Sequence, residues 1–190
     1  MKLAAFPAVL ALAAVSACAP AFAKTASPVV KDQASTAHQD TKFLEAANQG
    51  SVDEIDLAQL ALKKSNNQDV KDFAQRMIHD HQQLIDDMKR FDNEAGVQAP
   101  SHPDASTEAE KLKLDVLTGE AFDKAYIKAM VADHHKDLEA FLNEEKTTGY
   151  PDFKSAVEQG AQTVRQHLDM IDQIAKKNGV APAPMPASGM

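Results

Sequence analysis

Four side chains in this 190-residue chain combine Lewis-basic chemistry with interior positions: Glu54, His81, His134 and His167. Imidazole nitrogen and carboxylate oxygen both give lone pairs to a divalent metal, at roughly 2.0 to 2.2 Å for zinc. Each of the four interrupts a run of apolar or small residues at helical spacing. His81 falls among Val70, Ala74, Met77, Leu84, Met88 and Phe91, which recur at steps of three and four or their sums. His167 stands likewise among Val157, Gly160, Val164, Ile171 and Ile174, and His134 among Ile127, Met130, Val131, Leu138 and Phe141. Glu54 lies on a stripe through Phe43, Ala47, Gly50, Leu57 and Ala61, whose small residues predict a close helix approach. A competing stripe through Leu44, Ile55, Ala58 and Leu62 would turn Glu54 partly to water.

Burying three imidazoles and a carboxylate costs several kcal/mol unless each finds a partner. One divalent ion answers all four, and imidazole with carboxylate suits Zn, Fe, Mn, Ni or Cu. The alternative is a metal-free His-Glu polar network that fixes helix register in a non-enzymatic structural or interaction module. Met77 and Met130 each stand one turn before a seam histidine, where they either offer soft sulfur to Cu(I) or fill the core. His135 has Val131, Leu138 and Leu142 on one side and Lys128 and Glu139 on the other, a rim position beside the site. His79 has only polar helical neighbours and belongs to the solvated face, and His38 and His102 fall in segments without apolar period.

The elements that must position these groups are four long helices, about 41–65, 68–94, 119–146 and 151–177. The connections at Asn66-Asn67 and at Thr147 to Tyr150 are short and force antiparallel neighbours. Gly96 to Thr118 forms a long crossover carrying Pro100, Pro103 and a short helix near 107–117. The expected fold is therefore all-α, a ferritin-like antiparallel four-helix bundle with a long crossover between the second and third long helices. At 1.5 Å per residue, Glu54 and His81 lie at similar depth from the first hairpin turn, and His134 and His167 at similar depth from the second. One Lewis base per helix should then meet in one layer. A short repeat, Phe73, Met77, Asp80 and His81 against Tyr126, Met130, Asp133 and His134, links the two central helices.

Composition supports helix over strand: aromatics are 5%, Trp is absent, and hydrophobic residues make up 44%. The formal charge of −8, without a basic patch, makes nucleic acid an unsuitable partner. Residues 1–23 have an early Lys2, a short apolar run and Ala21-Phe22-Ala23, the pattern of a signal peptide for export to the periplasm or outer membrane. Val15-Ser16-Ala17-Cys18 resembles a bacterial lipobox, in which Cys18 is lipidated and attaches the chain to a membrane. Cleavage after Ala23 would instead discard the only cysteine. In either case no disulfide can form within the chain, so packing alone holds the fold. Residues 24–40 are expected as a flexible leader, 41–177 as the bundle domain, and 178–190, rich in Pro and Ala, as a disordered tail.

Several fragments together carry a family resemblance: Phe43-Leu44, Gly50, Glu54-Ile55 through Leu60-Ala61, and Val70-Lys71 with Phe73-Ala74 to Asp80-His81. They continue in Gly119, Phe122-Asp123, Tyr126 to His134, and His167-Leu168. On these residues the chain resembles the DUF4142 family, a domain of unknown function described for predicted bacterial outer-membrane proteins with a ferritin-like bundle. The resemblance implies that fold and an envelope setting, and it supplies no activity. The Glu-x-x-His pairs of di-iron ferritins are absent, since Ile78 and Val131 stand where the Glu would be, which disfavours ferroxidase or iron-storage chemistry. There is also no Gly-x-Ser-x-Gly elbow, phosphate loop or His-Glu-x-x-His. A redox reaction on a small oxidant in stress defence would need an open coordination position as well.

Overall fold

Each helix boundary follows from local chemistry. The computed structural model describes residues 28–181, with side chains from residue 37 onward. It consists of α1 (Pro28–Lys64), α2 (Gln68–Ala95), α3 (Ala105–Asp115), α4 (Gly119–Thr147) and α5 (Pro151–Lys177), and among the described residues there is no strand. The Asn67 side chain caps α2 by accepting from the Asp69 N–H, and Asp104 caps α3 by accepting from that of Thr107. Gly96 ends α2 at φ 72°, a left-handed conformation that a β-carbon would strain. Pro151 occupies the first turn of α5, where its missing N–H costs nothing.

Helix α1 begins at Pro28, so most of the stretch expected as a flexible leader is helical. The end of that stretch is anchored by contacts distant in sequence. Gln39 donates from Nε2 to Glu144 Oε2 at 3.4 Å, and Thr148 donates from Oγ1 to Asp40 Oδ2 at 3.0 Å. Both partners lie on the α4–α5 hairpin, over one hundred positions away, and no local apolar period could announce them. At the other end Asn178 is not loose either. Its Oδ1 accepts from Asn67 Nδ2 at 2.9 Å, tying the end of α5 to the α1–α2 turn. Residues 1–23, expected as a signal peptide and including Cys18, and residues 182–190 of the expected tail lie outside the described residues.

The hairpins α1–α2 and α4–α5 each pack along their length, α2 also contacts α5, and α1 contacts α4. Helix α3 lies over α1 and α4. It is held by buried Leu114 and by Lys111, whose Nζ is 2.6 Å from Asp56 Oδ2, and the loop before it is held by the Asp104 N–H donating to Asp53. The interior divides into two apolar clusters. One contains Leu57, Met77, Val131 and Leu168, and the other Phe43, Met88, Phe141 and Val164. On each long helix the polar residue of interest stands in sequence between members of the two clusters, so the polar layer falls between them.

The close helix approach expected at Gly50 is not there. A β-carbon at Gly50 would meet no atom within 4 Å, because the residue borders a cavity. The tight contact is at Gly160 instead, where a β-carbon would overlap the Phe141 ring. That ring is not free to yield, since it stands edge-on to Phe43 at 4.9 Å, and Phe43 in turn packs on Phe153. Gly160→Ala should therefore destabilise the fold by about 1 to 3 kcal/mol despite alanine's better helix propensity, as read by chemical denaturation. An unchanged or raised midpoint would contradict the packing described.

Candidate metal centre

Glu54, His81, His134 and His167 are all buried, each 4% exposed or less. Helix α1 buries members of both stripes, Glu54, Leu57 and Ala61 from one and Leu44 and Ala58 from the other, and leaves Ile55 and Leu62 half-buried. The three imidazoles form a triangle with ring centroids 6.3 Å (His81–His134), 5.3 Å (His81–His167) and 5.4 Å (His134–His167) apart. One nitrogen from each ring lies within 4.8 Å of one from each of the others. Two nitrogens on one zinc ion sit at most about 4.2 Å apart, so closing on an ion would draw the rings inward by about an ångström or less.

What decides the chemistry is the pattern of partners around each ring. His134 donates from Nδ1 to the Met130 carbonyl at 2.8 Å, and its Nε2 has no partner among the described residues. His167 donates from Nε2 to Asp80 Oδ2 at 2.9 Å, and its Nδ1 has none. His81 has Nδ1 3.2 Å from Ser51 Oγ, with Nε2 facing Glu54. His134 and His167 thus each have one nitrogen held by their surroundings and one left over, the arrangement that fixes tautomer and orientation in a metal-binding histidine. His81 has Ser51 beside one nitrogen and Glu54 beside the other.

Glu54 completes the layer. Its Oε2 is 2.7 Å from His81 Nε2 and its Oε1 3.2 Å from His134 Nδ1. The first distance is short, yet the approach is off the hydrogen-bond direction, and neither Glu54 oxygen has an aligned partner among the described residues. Glu54 stands outside the three-histidine cluster of mutually close donors. It touches two of the rings, a position suited to a fourth ligand or to orienting His81.

Burial works against the Glu54 carboxylate, but the imidazoles of His134, His81 and His167 outweigh it and hold the pKa down at about 2. For His81 burial is likewise outweighed, chiefly by Glu54, and its pKa is raised. His134 is lowered by burial and by the charge on His81. His167 falls to about 4 for the same two reasons, in the same order. Without metal the Glu54 carboxylate thus favours a proton on His81, while burial disfavours one on His134 and His167.

Met77 and Met130, weighed as soft-sulfur donors, are fully buried members of the Leu57–Val131 apolar cluster. His135 is half-buried and His79 exposed. Sequence reasoning did not assign Asp80 and Ser51, the partners of His167 and His81. Asp80 could have been found, because Phe73, Met77, Asp80 and Leu84 form a stripe at helical steps next to that of His81. Its carboxylate is gripped on the far side by Arg76 and by His79 Nδ1 at 2.8 Å, so His79 has a supporting place after all. Asp137, one turn beyond His134, has its pKa lifted to about 8 by burial, then by Glu54 and Asp133.

The chain is thus an all-helical protein whose core carries a layer of three inward-facing histidines beside one carboxylate. It belongs to the DUF4142 family, a domain of unknown function, whose model matches residues 24–174. No curated protein and no solved structure matches the chain. No helix among the described residues is long and apolar enough to cross a membrane.

The sign of the pH dependence separates these groups. Between pH 6.5 and about 4 the unfolded chain takes up a proton at residue 167 that the folded chain does not, so the metal-free fold loses stability as pH falls through that window. The loss is on the order of 3 kcal/mol, at about 1.4 kcal/mol per pKa unit. His81 has the opposite sign: it stabilises below 6.5 and stops doing so as pH rises through its elevated folded value. Denaturation of chelator-treated protein across this range should show a flatter acid limb in His167→Gln than in the wild type. Parallel curves would refute the burial assigned to His167.

Proposed function

We propose that this protein is an exported ferritin-like four-helix bundle of the bacterial envelope that binds a transition metal in its core, for metal handling or oxidant and stress defence. The observation that carries the reading is the set of leftover donor atoms. His134 Nε2 and His167 Nδ1 have no partner among the described residues, and His81 Nε2 has the Glu54 carboxylate 2.7 Å away, although all are buried. Leaving imidazole nitrogens unanswered in a dry core is costly, and one cation answers the three rings together. The hairpin pairing and the crossover between α2 and α4 support the ferritin-like arrangement. The signal-like residues 1–23 support export, and Cys18 is the proposed point of membrane attachment if the lipobox is used.

The donor set favours borderline ions: Zn, Fe, Mn, Ni or Cu(II). Protein purified from its native compartment without a histidine tag should carry close to one equivalent of metal, lost in His81→Ala, and added metal should raise the melting temperature of the apo chain. Asp80→Ala should weaken binding by about 10- to 100-fold, because it removes the acceptor that orients His167. Acidification should release the ion, since the imidazoles must be neutral to bind it. Apo protein indifferent to added Zn, Cu, Mn, Ni and Fe would end the reading.

One observation favours a second reading, a structural plug. The Glu54–His81 pair is charge-balanced without any ion and could by itself fix the register of α1 against α2. In that case His81→Leu with Glu54→Leu would leave stability equal or higher, and chelators would not shift the melt.

A further inference from the structure

The histidine layer is not sealed on every side. Phe73 closes one flank, with its ring 5.8 Å from His134 and 6.4 Å from His167. Between α1 and α4, however, lies a cavity of about 280 Å³ that has Glu54 and His81 in its lining. His134 and His167 do not line it. Its outer edge includes exposed Ala46, Lys136 and Ala140, and its deepest members are the buried Glu54 and His81.

Small residues make this space. Ala47, Gly50 and Ala140 line it, and a β-carbon at Gly50 would still meet nothing within 4 Å. Charge gives it a sign. Asp53 and Glu54 face it from α1 and Asp104 from the loop before α3, with Lys136 exposed on its edge. Asp137 also lines it, with its carboxyl pushed up to about 8 and so protonated near neutral pH. Carboxylates concentrated in a cleft with low-dielectric walls raise the local concentration of cations and repel anions. At about 30 Å³ per water the volume holds roughly nine waters, enough for a cation that keeps its inner hydration shell. Both oxygens of Glu54, buried and without aligned partners, stand at the inner end.

We infer that this cavity is the route by which a hydrated divalent cation enters and leaves the layer, met first by Glu54 and His81 and only then by His134 and His167. The inference rests on the metal-binding reading above and adds the path, the charge class admitted and the order of contact. It also assigns Gly50 a purpose that helix packing does not supply.

The test is stopped-flow uptake of Co²⁺ by the full chain, followed by the visible absorption of the histidine-bound ion. Gly50→Leu, which fills the passage without touching a donor, should slow uptake and release alike by about tenfold while stoichiometry and Kd stay near wild type. Ala140→Leu, at an exposed position on the opposite wall, should act in the same direction and guards against misfolding of the first variant. Lys136→Glu should speed uptake severalfold at low ionic strength, with the gain fading at high salt. Wild-type protein that binds Co²⁺ stoichiometrically, with both filled variants taking it up at the wild-type rate, overturns the route alone. Wild-type protein that takes up neither Co²⁺ nor Zn²⁺ overturns the metal-binding reading and the route together.

Discussion

An imidazole has two ring nitrogens, and in a dry interior both must be answered, which is the constraint the rest of this molecule accommodates. Local and neighbouring groups answer one nitrogen of each ring: the Ser51 hydroxyl, the Met130 carbonyl and the Asp80 carboxylate. One nitrogen of each ring lies within 4.8 Å of one from each of the others, and His81 Nε2 faces Glu54. Fixing one side of a ring defines the lone pair on the other, so the tautomers of His134 and His167 are set by partners outside the triangle. Glu54 raises the pKa of His81, while burial and then the charge on His81 lower those of His134 and His167.

Such a layer holds only if four helices keep register to within about an ångström, because hydrogen bonds and coordinate bonds fall off over that distance. The two apolar clusters above and below provide this. Both contain bulky side chains from both hairpins, so a slide of one helix would disturb packing on each side of the polar residues at once. The contact of Phe141 with Gly160 locks α4 to α5, and the aromatic group of Phe43, Phe91, Phe141 and Phe153 draws α1 and α2 to the same end. Around Asp80, Arg76 and His79 form an outer ring of support, so the orientation of His167 is tied to the surface of α2.

The donor set distinguishes this core from carboxylate-rich di-iron bundles. Three nitrogens and one carboxylate give a softer and less anionic environment, and the positions where paired Glu-x-x-His motifs would supply further oxygen hold Ile78 and Val131. Beyond Glu54, Asp80 bonds His167, and Asp53, Asp104 and Asp137 border the cavity, the last with its pKa raised to about 8. Asp53 and Asp104 therefore place negative charge along an approach to the layer.

Much of this was legible from residue spacing. Apolar steps of three and four placed His81, His134 and His167 inward, counting residues from the hairpin turns put them at a common depth, and Asn67, Gly119 and Pro151 marked helix boundaries. Those features depend on chemistry within one or two helical turns, which a linear chain carries in full. Three things depended on partners distant in sequence. The rotation of α1 that buries Glu54 needed the opposing helices, the anchoring of Gln39 and Asp40 needed Glu144 and Thr148, and the cavity beside Gly50 needed the separation of α1 from α4. Small residues in a stripe are equally compatible with a tight contact and with an open space. Only the packing of the facing helix chooses between them, and here it chose contact at Gly160 and space at Gly50.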